Sequence, residues 1–99
     1  MYYRMRTYYA ADADHEVATR IFKAYVQPVH ERHGAQLVGR WLTEDRRLVV
    51  IWAYPDEAAC AQTLEAVRTD PVTRSTQAER EATGLASFER EEVFMTSTL

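Results

Sequence analysis

Cysteine occurs once in this 99-residue chain. No disulfide can form within it, and the lone Cys60 points to a reducing compartment. No stretch approaches the roughly 18 apolar residues that cross a bilayer. The opening Met1–Tyr9 lacks the apolar centre of a secretory signal, so a cytoplasmic protein with no membrane partner is expected. A basic patch with interleaved aromatics is also missing, and the formal charge is −3, which argues against a nucleic-acid partner. There is no linker, repeat or low-complexity segment. Ser75, Thr76 and Ser87 stand in no nucleophile motif, so hydrolase chemistry has no support. Lysine is nearly absent too: eleven of the twelve basic residues are Arg, a usage that suggests a GC-rich genome.

What is present reads as one domain, residues 1–99. Nearly half of the chain, 46%, is hydrophobic, enough for one core but not for a large internal cavity. Tyr2 to Tyr9 alternates, with Tyr3, Met5, Thr7 and Tyr9 on one face and Tyr2, Arg4, Arg6 and Tyr8 on the other. Ala10 to Asp14 is a turn with Asp12 or Asp14 as helix cap. Val17, Ile21, Tyr25 and Val29 then recur at four-residue spacing and predict a helix running to about His33, bent at Pro28 because proline supplies no backbone donor. Gly34 stops it.

Gln36–Glu44 and Arg47–Tyr54 read as a hairpin turning at Asp45-Arg46. The second of these strands is apolar on both faces, as suits the centre of a sheet. Pro55-Asp56-Glu57 opens a second helix, capped by Asp56 and buried along Cys60, Leu64 and Val67. Asp70-Pro71 begins a short polar helix or loop reaching to about Gly84, and Phe88–Thr96 alternates as a last strand with charges on both faces. The order β-α-β-β-α-β predicts an α+β, ferredoxin-like fold, with two helices on one face of a four-stranded antiparallel sheet. The other face would carry either Val49 and Ile51 or Val50 and Trp52, too apolar for open water. A second copy of the sheet is its expected cover, which makes a homodimer.

The segment Pro28–Trp41 holds the densest chemistry. On a helical wheel of about 100° per residue, Arg32 falls within the apolar stripe, His33 lies at its edge, and His30 faces outward. Arg32 is therefore a candidate catalytic group that would hold a carboxylate, enolate or phenolate with paired hydrogen bonds. The bland alternative is a snorkelling side chain, or a pair with a carboxylate such as Glu92. His33 is a candidate general base or acid, or else a residue that merely favours the helix dipole. The two histidines lack a third ligand at motif spacing, so no metal site is expected, and no cofactor. Arg6, Tyr8, Trp41, Trp52 and Tyr54 are candidate substrate contacts, the aromatics as walls for a flat ligand. Arg4 and Arg90 read better as salt-bridged residues of a dimer interface, with Glu89, Glu91 and Glu92 available as partners.

Tyr3-Arg-Met-Arg-Thr-Tyr8, His30-Glu-Arg-His-Gly34 leading into Leu37-Val-Gly-Arg-Trp41, Val50-Ile-Trp-Ala-Tyr-Pro-Asp56 and the later Asp70-Pro71 together resemble the NIPSNAP family over nearly the whole chain. The resemblance implies a dimeric α/β barrel, two ferredoxin-like sheets packed face to face. It also implies kinship with cofactor-independent monooxygenases, polyketide cyclases and haem-degrading enzymes, but no shared reaction. The expected function is a small-molecule enzyme of bacterial, including secondary, metabolism: an oxygenase, cyclase or isomerase. The alternatives are a non-catalytic dimeric binding protein, or a haem protein using His30 or His33.

Overall fold

The computed structural model describes all 99 residues. Strand β1 spans Tyr2–Tyr8. Helix α1 (His15–Ile21) continues through a single π-helical turn, Phe22–Val26, into α2 (Gln27–Arg32). The hairpin β2 (Gln36–Leu42) and β3 (Leu48–Tyr54) follows. Then come α3 (Glu57–Thr69), two short helices α4 (Pro71–Ser75) and α5 (Gln77–Ala82), a 3₁₀ turn over Leu85–Ser87, and β4 (Arg90–Thr96). The strands form one antiparallel sheet in the order β2-β3-β1-β4, which is the ferredoxin-like arrangement.

Local chemistry sets the element boundaries. Asp14, not Asp12, caps α1 by accepting from the Val17 N–H at 3.1 Å. Asp56 accepts from Ala59 N–H at 2.7 Å to cap α3. Gly34 adopts φ 101, a left-handed conformation that glycine takes without strain, and it releases the chain from α2 into β2. The hairpin turn is closed by Thr43 and Arg47, with Arg46 at φ 63. The 70–84 segment is more regular than its polarity suggests, because the Asp70 carboxylate caps α4 through the Val72 N–H at 2.8 Å.

The π turn departs from the regular helix predicted for this stretch. The Gln27 N–H bonds to the carbonyl of Phe22, five residues back. Pro28, with no N–H, sits in the first turn of α2, where that loss is tolerated. A π turn takes more residues per revolution than an α turn. Ala18, Phe22, Val26 and His30, each four apart, therefore stay on one face instead of drifting around the helix.

Cross-strand partners point to the same side of a sheet, and the two faces differ sharply. Leu48, Val50, Trp52 and Tyr54 face the helices and form the core with Ala35 and Cys60, against which Phe22, Leu37 and Leu64 pack. On α3 the third apolar position, Val67, is only partly buried, whereas Thr63 is buried. Thr63 donates its hydroxyl to the His33 carbonyl at 2.7 Å and so ties α3 to the end of α2. The opposite face carries Val49 and Ile51 with Tyr3, Met5, Val93 and Met95, and no helix of this chain covers it. Trp41 belongs to that face and lies folded over Gly39.

A side chain at Gly39 would overlap the Trp41 ring. Gly39→Val should therefore expel the half-exposed ring while changing stability by no more than about 1 kcal/mol, because valine suits a strand better than glycine. Tryptophan emission should shift to the red; an unchanged spectrum would contradict the packing.

Candidate functional site

A cavity of about 290 Å³ lies between the helix layer and the inner face of the sheet. Its floor is built by strand alternation: Arg4, Arg6 and Tyr8 from β1, Leu48, Val50 and Trp52 from β3, and Arg40 from β2. The α1–π–α2 rod supplies Phe22, Val26 and His30, and the segment after α4 closes one side with Arg80, Leu85 and Arg90. Five guanidinium groups thus meet in a chain of net negative charge. No Asp or Glu lines the cavity.

Glu92, directly across the sheet from Arg6, is the one carboxylate paired with these arginines. It bonds Arg4 Nε and lies 3.8 Å from Arg6 Nε. Burial pushes the Glu92 carboxyl upward, but Arg4 and Arg6 outweigh it and hold the group below its ordinary range. Arg4 is itself buried, and its Nη1 has no hydrogen-bond partner. The Nε atoms of Arg6 and Arg40 are buried and unpartnered as well. Arg40 is otherwise anchored, donating to Thr19 Oγ1 at 2.5 Å with its guanidinium 4.9 Å from the centre of the Phe22 ring. Arg6 Nη1 donates to the Tyr8 hydroxyl at 3.2 Å. Burying guanidinium donors without partners is costly. A cavity walled by them favours an anion.

His30 lies against this charge. Its ring stacks on Trp52 with centroids 4.7 Å apart, and its Nδ1 is buried without a partner. Burial, followed by the charges of Arg4, Arg6 and His33, lowers its pKa to about 4. In the empty cavity the imidazole is neutral at pH 7.

These positions correct the helical-wheel reading. His30 turns inward, whereas Arg32 and His33 lie outside the cavity and converge on Asp70, at 2.9 and 2.7 Å. The π turn accounts for the difference, since it rotates everything after Val26 relative to a regular helix. Arg32 pairs with Asp70 rather than with Glu92 and remains half-exposed. The hydrogen bonds from Arg32 and then His33 lower the Asp70 pKa to about 2. Asp70 therefore works as a latch between α2 and α4.

Of the other candidates, Arg6, Tyr8 and Trp52 line the cavity together. Trp41 is on the opposite face. Tyr54 is fully buried in the core, where burial raises its hydroxyl pKa, and it does not reach the cavity wall. Arg4 and Arg90, expected at a subunit interface, border the cavity instead. The missed residues are His30, Arg4, Arg40, Arg80 and Arg90. The Phe22–Val26–His30 spacing next to Pro28 was the available signal for the first, and the shared face of Arg4 and Arg6 for the second. No three His, Cys, Asp or Glu side chains gather where a metal ion could sit, and no helix is long and apolar enough to cross a membrane.

The antiparallel β-α-β-β-α-β sheet with a cavity beneath its helices defines a ferredoxin-like α+β protein. The chain belongs to the NIPSNAP family, whose pattern it matches over residues 3–98. A NIPSNAP family protein of unknown function from Agrobacterium tumefaciens superposes with a TM-score of 0.80 at 21% identity, covering 98% of this chain and 87% of that one. An uncharacterised NIPSNAP domain protein from Burkholderia xenovorans gives 0.69 at 22% identity, over 99% and 95% of the two chains. A Streptomyces coelicolor monooxygenase solved with nanaomycin D shares the fold at a TM-score of 0.66 and 18% identity, over 97% and 86%. No curated protein matches the sequence.

The His30 environment has a measurable cost. A histidine whose folded pKa lies below its unfolded value resists protonation only when folded. Stability is then constant above pH 6.5 and falls as the pH drops from 6.5 toward 4, by about 3 kcal/mol in all. Asp70 acts in the opposite sense over a separate window, its contribution present above pH 3.8 and lost toward 2. Denaturant titrations between pH 7 and 4 should show this slope in the wild type and a much flatter one in His30→Gln. Equal slopes would contradict the burial of His30.

Proposed function

We propose that this NIPSNAP chain is a cofactor-independent enzyme of bacterial metabolism. It would act on a flat organic molecule that carries or develops negative charge, by oxygenation, cyclisation or isomerisation. The observation that carries the reading is the set of five guanidinium groups around an aromatic-walled cavity with one carboxylate between them. Such a site stabilises an enolate or phenolate as it forms, because fixed donors in a partly dry cavity need no reorganisation. Its aromatic walls, Phe22, Trp52 and Tyr8, suit a planar ring. The ring-stacked His30 and the Asp70-bound His33 give no support to an axial haem ligand.

We further propose a cytoplasmic homodimer, closed by the uncovered sheet face. Ile51, Met5 and Val93 form an apolar strip across three adjacent strands there, and a second copy of the same strip is its self-complementary cover. Sedimentation should give a dimer for the wild type and a monomer for Ile51→Asp. A wild-type monomer would refute this assembly.

Charge selectivity tests the site itself. In calorimetric titrations 2-naphthoate should bind at least about tenfold more tightly than neutral 2-naphthamide, a difference of about 1.4 kcal/mol. Arg6→Gln should abolish the preference. Glu92→Gln should enlarge it, since the competing charge is gone while the amide oxygen can still accept from Arg4. Equal affinity for acid and amide would contradict the anion site. Recovery of every bound ligand unchanged after aerobic incubation would make the chain a binding protein instead.

A further inference from the structure

We propose that His30 is the proton acceptor of this cavity: it takes the proton from a weakly acidic O–H or C–H of the bound ligand, and the guanidinium groups of Arg4 and Arg6 hold the resulting oxyanion. The inference rests on the anion-site reading above and assigns its chemistry to a residue. In the step, the ligand's O–H or C–H bond breaks and its proton moves to an imidazole nitrogen. The electron pair stays on the ligand, as a phenolate or, after delocalisation, an enolate. No oxidant or cofactor is consumed.

Three observations support it. His30 is the one histidine lining the cavity; His33 is engaged by Asp70, and His15 Nε2 donates to the Ala10 carbonyl at 2.8 Å. The His30 ring is held in place by stacking on Trp52, with Nδ1 buried, and no protein group hydrogen-bonds to Nε2, which is left free to take a proton.

The charged groups facing it are all cationic. β1 presents Arg4 and Arg6 with the Tyr8 hydroxyl, β2 presents Arg40, Arg80 and Arg90 come from the opposite wall, and His33 on its own helix acts in the same sense as Arg4 and Arg6. Trp52, the β3 residue against it, carries no charge. Glu92 is engaged by Arg4 and does not line the cavity. Burial and then this arrangement of charge keep the imidazole unprotonated, in agreement with its lowered pKa. An oxyanion placed on Arg4 and Arg6 offsets the charge that disfavours imidazolium. Deprotonation of the ligand and protonation of His30 therefore reinforce one another.

The probe is 4-nitrophenol, whose absorbance separates phenol from phenolate, added to the full chain about one unit below the probe's own pKa. Wild-type protein should bind it as the yellow phenolate, lowering its apparent pKa by at least about one unit, a tenfold shift in the ionisation equilibrium. The His30 ring proton resonances should move to the imidazolium position in the same titration, a readout that needs no variant to fold. His30→Asn should bind less phenolate than the wild type, and should release a proton to the buffer for each phenolate it does bind. Phenolate bound equally by wild type and His30→Asn, or imidazole resonances that stay neutral in the complex, would overturn the role of His30 while leaving the anion site standing. Absence of any binding to the wild type would overturn both.

Discussion

A guanidinium buried in the middle of the sheet is the constraint on which the rest of this structure depends. Arg4 sits on β1, which pairs with β3 on one side and β4 on the other, so its side chain is delivered beneath the helices and not to solvent. One of its donors is met by Glu92 from the next strand, and another is left without a partner. Burial of that kind needs compensation. Around it the cavity gathers further guanidinium groups: Arg6 and Arg40 share the floor, Arg80 and Arg90 the rim. Burial, and after it the charges of Arg4 and Arg6, hold His30 neutral.

Much of the architecture was legible from pattern alone. The alternation of Tyr2, Arg4, Arg6 and Tyr8, the apolar Leu48–Tyr54 run and the capping residues Asp14, Asp56 and Gly34 report backbone geometry directly, and each lies where its chemistry puts it. The site was less legible for a specific reason. A helical wheel assumes a constant twist, and the Phe22–Val26 turn breaks that assumption four residues before His30. One residue of slippage moved His30 into the cavity and sent Arg32 and His33 to Asp70. Pro28 marked the disturbance, yet proline alone does not distinguish a kink from a π turn.

A second limit concerns faces. Strand periodicity shows which residues share a side, but not which side meets the helices. Arg4 and Arg90 suited an interface as well as they suited an interior. Trp41 looked like a pocket wall until the β2–β3 register placed it opposite Val49, on the uncovered face. Two relatives that share this fold are themselves NIPSNAP proteins of unknown function.

The most direct measurement is a crystal structure of the protein soaked with 4-bromobenzoate, located by the anomalous signal of its bromine. The ring is expected beside Trp52 and Phe22, with the carboxylate between the guanidinium groups of Arg4 and Arg6. Bromine found only at the Arg32–His33–Asp70 cluster, or on the outer face of the sheet near Trp41, would contradict the account.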